Sequence, residues 1–317
     1  MQNANAENIK NETLAQFIRH QAYLLEDKHG FRYKTAVFEV ELLLGWFLKL
    51  DINQIRTCAI TGQLTVDAFS TYAVSDFCGI MKRRLNGEPL QYITGSTHFY
   101  GLTLKVGPGV FIPRPETEGI VSLALEFVQK FMHFPIANTA SRKVVLADLC
   151  AGSGAIGLAV AQSLQNFRSE HFLEVVAVEK FTRAFNYLKV NCTQYAAQNS
   201  KSVIIPILGD AGEIELPVCD IVVINPPYIP SEIELPSDVH VEPKTALYGL
   251  GEDGFEIPRA VIKNAAQSLK SGGYLLIEHF ETQNEVAEKT LQENGLSEIK
   301  HIQDLNHRPR FTIGIKN

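Results

Sequence analysis

Between residues 13 and about 95, apolar positions recur at helical spacing. Leu14, Phe17 and Ile18 lead to Tyr23, Leu24 and Leu25. Val37, Val40, Leu42, Leu43, Leu44, Phe47 and Leu48 follow. This pattern predicts a small helical N-terminal domain over residues 1–88. A further helix is predicted over 66–86, running out in Lys82-Arg83-Arg84 before Gly87. From residue 89 the pattern changes. Tyr92, Ile93, Thr94, His98, Phe99, Tyr100, Leu102, Leu104 and Val106 are β-type residues broken by Gly95, Gly101, Gly107 and Gly109, which predicts a β-hairpin linker over 89–112. Pro113-Arg114-Pro115-Glu116-Thr117-Glu118 then opens a helix, with proline and acids in its first turn.

From about residue 142, apolar strands alternate with amphipathic helices. Strands are predicted near 144–147, 173–178, 203–208, 221–224 and 274–277, and helices near 155–164, 183–198, 257–269 and 282–293. Two last strands, near 298–303 and 311–315, have no helix between them. Alternation of this kind predicts an α/β fold with a doubly wound, mostly parallel sheet and an antiparallel edge, spanning residues 113–317.

The composition is 45% hydrophobic and 20% charged over 317 residues, with a formal net charge of -6. A general nucleic-acid binder carries a basic excess to neutralise phosphates, and this chain does not. Lys82-Arg83-Arg84 reads best as a solvated helix end complementing the helix dipole; contact with RNA or an acidic partner is the sharper alternative. The five cysteines form no CxxC pair, so neither a zinc site nor a disulfide framework is indicated. No apolar run reaches bilayer length. These features predict a soluble, cytoplasmic, monomeric protein.

The first strand of the α/β part runs into Asp148-Leu149-Cys150-Ala151-Gly152-Ser153-Gly154-Ala155-Ile156-Gly157, and Glu179 closes the second. Gly152, Gly154 and Gly157 satisfy G-x-G-x-x-G, which fits a dinucleotide or S-adenosylmethionine. Charge separates the two. A dinucleotide places a pyrophosphate on the helix N-terminus, whereas S-adenosylmethionine carries a sulfonium and an ammonium. Asp148 repels the former and suits the ammonium, directly or through water. Glu179 suits a ribose diol in either case. Asp210, after the third strand, reads equally as an acceptor for the adenine amino group or as a turn former.

The fourth strand ends at Asn225-Pro226-Pro227-Tyr228, at the sheet rim where open α/β sheets bind ligands. Two prolines remove two backbone donors and make a rigid corner of acceptors. A planar amide or amine nitrogen is a poor nucleophile. If the Asn225 side-chain oxygen and the Pro226 carbonyl each accept one N–H, that nitrogen is held with one face turned to a methyl donor. Asn225 then serves both the donor and the substrate side, and Tyr228 can stack on the flat group. No strong base is required, because a methylated amide nitrogen is very acidic.

With these residues in hand, the chain resembles the HemK/PrmC family of glutamine-N5 methyltransferases. The resemblance rests on Glu88-Pro89-Leu90-Gln91-Tyr92-Ile93-Thr94-Gly95, Phe111 to Glu118, Asp148 to Gly154 and Asn225 to Tyr228. It extends to Glu242-Pro243, Gly251-Glu252-Asp253-Gly254, Glu278-His279, Asp304-Leu305 and Arg308-Pro309-Arg310. It implies a helical N-terminal domain that recognises a partner, a hairpin linker and a seven-stranded Rossmann-like methyltransferase domain. It implies S-adenosylmethionine as donor, with S-adenosylhomocysteine as product, and as substrate the glutamine of the Gly-Gly-Gln motif in class-1 peptide-chain release factors. The implied donor site is Asp148, Cys150, Ala151, Gly152, Ser153, Gly154, Glu179 and the Asp210-Ala211 corner. Asn225 to Tyr228 would hold the glutamine, with Phe111 and Arg114 near the pocket. The chain departs from the family at Cys150, where glycine is usual; at Glu179, where Asp is usual; at Ala211, where an aromatic is common; and at Phe280, where glycine is common.

Rival readings are a glutamine on a ribosomal protein, adenine-N6 methylation of DNA, a nicotinamide-dependent dehydrogenase and a binding module without catalysis. DNA methylation needs base flipping and a duplex-holding surface, which the charge balance disfavours. A dehydrogenase needs a proton-transfer residue, and His279 reads as packed or solvated instead.

Overall fold

The computed structural model describes residues 12–62, 71–133, 143–165, 172–196, 202–235 and 241–317. The chain divides into two compact units, Met1–Gly95 and Ser96–Asn317.

The first unit is helical: α1 (Leu14–His29), α2 (Tyr33–Leu48), α3 (Ile52–Thr61), α4 (Thr71–Leu85) and α5 (Leu90–Thr94). Capping boxes start two of them, Thr13 with Gln16 and Asp51 with Gln54. The helices meet in one core that includes Phe17, Leu25, Leu43, Ile55, Phe77 and Met81. The helix predicted over 66–86 is present as α4; its first five positions lie outside the described residues.

Two expectations are corrected here. Tyr92, Ile93 and Thr94 form a helical turn, not a strand. Pro89 precedes the turn and Gly95, left-handed at φ 72°, stops it, so the local fences outweigh β propensity. The basic stretch is a solvated helix end only in part: Lys82 and Arg83 are exposed in the last turn of α4, and Arg84 is not. Arg84 is buried, with its Nε 2.7 Å from Glu39 Oε2 and its guanidinium over the Phe31 ring. Arg83 donates to both oxygens of Glu88. These two charges are neutralised inside the unit.

The second unit begins with a hairpin, β1 (Ser96–Phe99) and β2 (Leu102–Lys105). Its two-residue turn, Tyr100-Gly101, has positive φ at both positions, as a type I′ turn requires. A 3-10 turn (Pro115–Thr117) leads into α6 (Glu118–His133). Then come β3 (Lys143–Leu149), α7 (Ala155–Ser163), β4 (Phe172–Glu179), α8 (Thr182–Ala196), β5 (Ser202–Leu208) and β6 (Cys219–Ile224). The chain ends with α9 (Glu256–Ser268), β7 (Leu269–Glu278), α10 (Asn284–Glu293), β8 (Leu296–Gln303) and β9 (Pro309–Lys316).

The seven strands order as β5-β4-β3-β6-β7-β9-β8, the first five parallel and β9 antiparallel to both neighbours. Alternate residues feed opposite faces. Leu146, Val175 and Val223 pack with α6, α7 and α8, while Val145, Val176 and Val222 pack with α9 and α10. The strands read as continuous apolar runs because both faces are covered. No helix among the described residues is long and apolar enough to cross a membrane.

Candidate active site

The strand order dictates what meets at the carboxyl rim. β3 lies between β4 and β6, and β7 lies beyond β6. Leu149 is in register with Val178 on one side and Ile224 on the other; Glu179 is in register with Leu208, and Ile224 with Ile277. Along the rim the order is therefore Asp210, Glu179, the glycine loop, Asn225 and Glu278. The direction of winding reverses at β3, where doubly wound sheets bind ligands.

The glycine loop is held by acids and backbone. Glu179 is buried and accepts from Gly152 N at 2.9 Å and Phe181 N at 2.7 Å. Burial raises its pKa against those bonds. Ala151 N donates to Val178 O at 2.9 Å. Cys150 adopts a left-handed φ of 60°, a conformation that costs roughly 1–2 kcal/mol for a residue with a Cβ. Gly157 is required by contact, since a Cβ there would lie 2.8 Å from Val175 Cγ1 and 3.0 Å from Asp148 Oδ2. Asn191 of α8 ties the loop to the hairpin. Its Nδ2 donates to Ser153 O at 2.8 Å and Lys105 O at 3.1 Å, and its Oδ1 accepts Lys105 N at 2.7 Å.

Asp148 does two things. Its Oδ2 accepts Gly157 N at 2.8 Å, at the start of α7; among the described residues its Oδ1 has no hydrogen-bond partner. Burial lifts its pKa to about 7, opposed by the Gly157 bond and assisted by the charge of Glu179. The folded state thus holds this proton more tightly than the unfolded chain. The associated stability is complete below pH 3.8 and is lost as pH rises through about 7. Asp148→Asn is expected to remove that loss. Between about pH 5 and 8, the wild-type Tm should fall relative to the variant; parallel melting curves would contradict this account.

Asp210 is both a turn former and an ion-pair partner. Its Oδ1 accepts Gly212 N at 2.9 Å and its Oδ2 lies 2.6 Å from Lys180 Nζ. Ala211 is buried behind it, its carbonyl accepting Asn264 Nδ2 at 2.9 Å.

On the other side of β3, Asn225 Nδ2 donates to Thr117 Oγ1 at 3.4 Å. Tyr228 donates its hydroxyl to Glu278 Oε1 at 2.9 Å, a role the sequence did not foreshadow. Burial lifts Glu278 to about 7, opposed by the nearby Thr117 hydroxyl, the Tyr228 hydrogen bond and the charge of Arg310; among the described residues its Oε2 has no hydrogen-bond partner. The corner is fastened from behind. Tyr228 N and Ile229 N donate to Leu247 O, and Gln283 Nε2 donates to Tyr228 O at 2.8 Å and Asp253 O at 2.6 Å. Phe111 lies under the Arg114 guanidinium at 5.1 Å. Arg114 pairs with buried Glu242, which also accepts Ile112 N at 2.9 Å. His279 is fully buried between Phe280 O and Thr312 Oγ1, each 2.8 Å away, and burial lowers its pKa to about 4. It is a packed, neutral histidine.

Residues 18–95 match the family profile described as the PrmC N-terminal domain. Three relatives carry the name release factor glutamine methyltransferase. That of Bifidobacterium longum is 33% identical and covers 89% of this chain and 93% of its own. That of Mycolicibacterium smegmatis is 33% identical, covering 89% and 91%. That of Streptomyces coelicolor is 36% identical, covering 75% and 79%. The chain belongs to the release factor glutamine methyltransferase family.

As a member of the release factor glutamine methyltransferases, the chain is a methyltransferase enzyme, and its methyl donor is S-adenosylmethionine. The rim suits that donor chemically. The unpaired oxygen of Asp148 is a buried acceptor of the kind a cationic group seeks. A Cβ at Gly152 would meet nothing within 4 Å, so the loop leaves open space there.

The structure brings Asp148, Cys150 to Gly154, Glu179, Asp210, Ala211 and Asn225 to Tyr228 onto one rim. Thr117, Asn191, Glu242, Glu278 and Gln283 hold that rim and had no assigned role from sequence. Glu278 could have been nominated by the same rule that nominated Asn225, since both end parallel strands.

Proposed function

We propose that this chain methylates the side-chain nitrogen (N5) of the glutamine in the Gly-Gly-Gln motif of class-1 peptide-chain release factors. The observation that carries this reading is the Asn225-Pro226-Pro227-Tyr228 corner, set between the glycine loop and Glu278 in a chain whose relatives bear that name.

Asp148, Cys150, Ala151, Gly152, Ser153, Gly154, Glu179, Asp210 and Ala211 are assigned to the donor. Asp148 takes the ammonium and Glu179 the ribose diol. Bound S-adenosylmethionine supplies an electrophilic methyl on a sulfonium. The chain's own contribution is to hold the nucleophile. Asn225 Oδ1 and the Pro226 carbonyl accept the two N–H groups of the glutamine amide, while Phe111 and Arg114 line the approach. Two acceptors polarise the N–H bonds and favour positive charge developing on nitrogen. The nitrogen gains a methyl and releases one proton to water.

Residues 1–88 are assigned to partner recognition and 89–112 to linking. The enzyme is taken to act as a cytoplasmic monomer on a protein, without nucleic acid. Labelled donor is incubated with a release factor, its Gly-Gly-Gln to Gly-Gly-Ala variant, a ribosome fraction and duplex DNA. Label is expected in the intact release factor alone. Label in ribosomal protein or DNA would replace this reading.

A further inference from the structure

Asn191 lies on α8 and is buried. Its amide joins two separate segments. Oδ1 accepts Lys105 N at 2.7 Å, while Nδ2 donates to Lys105 O at 3.1 Å and to Ser153 O at 2.8 Å. We propose that Asn191 is a positioning residue for the methyl donor: the backbone at the end of β2 orients its amide, and the amide holds the Ser153–Gly154 peptide of the glycine loop. The β-hairpin is thereby a support of the donor site as well as a linker. This rests on the assignment of the glycine loop to the donor.

The orientation follows from donors and acceptors. A backbone N–H only donates and a carbonyl only accepts. The Lys105 N–H therefore takes the oxygen end of the amide. Both protons of Nδ2 are then committed, one to Lys105 O and one to Ser153 O. A flipped amide would set oxygen against two carbonyls and Nδ2 against an N–H. Lys105 thus decides which end of Asn191 meets Ser153.

The Ser153–Gly154 peptide needs a tie from outside the loop. Gly152 and Gly154 flank Ser153 with left-handed φ of 57° and 84°, and glycine has the widest backbone freedom of any residue. The Gly154 N–H is spent within the loop, on Ala151 O at 2.7 Å. The carbonyl of the same peptide is held from α8 by Asn191. Without that bond the loop keeps its ties to β4 through Ala151 and Gly152, and its Ser153 end turns more freely.

Lys105 is a firm anchor because its segment is matched to α8. Asn191, Tyr187 and Arg183 follow one another at intervals of four residues, about 6 Å of helix rise. Lys105, Gly107 and Gly109 follow at intervals of two, about 6.6 Å of extended chain. The two spacings agree, and the pairs meet in order. A Cβ on Gly107 would lie 2.1 Å from the Tyr187 hydroxyl oxygen, and one on Gly109 would lie 2.8 Å from Arg183 Cδ. Val106 and Val110 close the seam against Ala184.

The test measures donor affinity directly, by calorimetry of the full chain with S-adenosylmethionine and no acceptor protein. Melting curves and steady-state kinetics with a release factor accompany it. Asn191→Leu removes all three bonds. Asn191→Asp keeps an acceptor for Lys105 N and loses both donated bonds. Each is expected to raise the donor Kd and the donor KM about tenfold, because a loop that is competent about a tenth of the time binds correspondingly more weakly. At saturating donor, kcat and the KM for the release factor should stay within about twofold, since bound donor restores the loop. An asparagine that only held the fold together would lower the Tm and leave the donor Kd of the folded protein unchanged. Hydrogen exchange of the wild type needs no variant: donor should slow exchange of the Lys105 N–H together with the glycine loop.

Three results would overturn the proposal: a wild-type donor Kd in either folded Asn191 variant, a fall in kcat at saturating donor with the donor KM unchanged, or exchange slowed by donor in the glycine loop and not at Lys105. Gly152→Val separates this role from the loop assignment beneath it. It sets a branched side chain at φ 57° in the space the loop leaves open, and should abolish donor binding. If Gly152→Val binds donor normally, the loop assignment falls. If it does not bind and Asn191→Asp binds as the wild type does, only the positioning role falls.

Discussion

Asn225→Ala is expected to lower kcat for glutamine methylation by about 10²–10³, the loss typical of removing one preorganised group at a developing charge. The amide nitrogen gains positive character only as the methyl transfers. An acceptor on its N–H is therefore worth most in the transition state, and kcat and kcat/KM should fall together. The fold should survive. The backbone after Asn225 is fastened by Tyr228 N to Leu247 O at 3.1 Å, Ile229 N to Leu247 O at 2.9 Å and Gln283 Nε2 to Tyr228 O at 2.8 Å. None of these uses the Asn225 side chain. Melting and steady-state kinetics decide the matter. A drop smaller than about tenfold, with the Tm unchanged, would show that another group accepts the substrate N–H.

Gly249→Ala is expected to be nearly as damaging, although residue 249 is not assigned to the chemistry. A Cβ there would lie 1.8 Å from Gly254 O and 2.7 Å from Pro227 O. Both are backbone atoms and cannot swing aside. Gly249 N donates to Ile229 O at 3.1 Å, and Gly249 O accepts Ile257 N at 2.9 Å, so the residue is held on both sides. The added methyl must push the segment around Pro227 outward. Displacing a reacting geometry by about 1 Å costs on the order of 10² in rate, and overpacking costs roughly 1–3 kcal/mol in stability. Gly272→Ala is the control. Gly272 has φ 76° but open space around its missing Cβ, so that variant should lose some Tm and keep kcat. If Gly249→Ala keeps full kcat, the corner does not depend on this close packing.

The β/α alternation was readable because the central parallel strands β3, β4 and β6 are largely apolar on both faces. Val145 and Leu146 pack with opposite helix layers, so the strand stays apolar from Val144 to Ala147, up to Asp148 at the rim. The rim followed from topology: once the strands are parallel, their carboxyl ends meet, and Asn225 and Glu179 must be close. What escaped was the pairing of distant polar residues. Arg84 is neutralised by Glu39, and no local pattern connects a helix end to an acid so far upstream. Tyr228 carries an aromatic ring, and the sequence invited a stacking role; only the fold reveals that its hydroxyl meets Glu278. Asn191, one polar residue within α8, bridges the hairpin and the glycine loop. Residues 92–94 are helical because Pro89 and Gly95, flanking a five-residue helix, override three β-type side chains.

β9 lies between β7 and β8, so the latest of the seven strands in sequence order is not an edge but an interior member of the sheet. Ile277 of β7 faces Thr312, and Glu278 faces Phe311, beside the Arg310 that favours its charge. Translation delivers the glycine loop and Asn225 long before Pro309–Lys316. A nascent chain therefore holds β3 to β6 without the partner that sets Glu278. Domains fold as units during synthesis, and a chain that stops short of β9 lacks both the strand that joins β7 to β8 and the Arg310 beside Glu278.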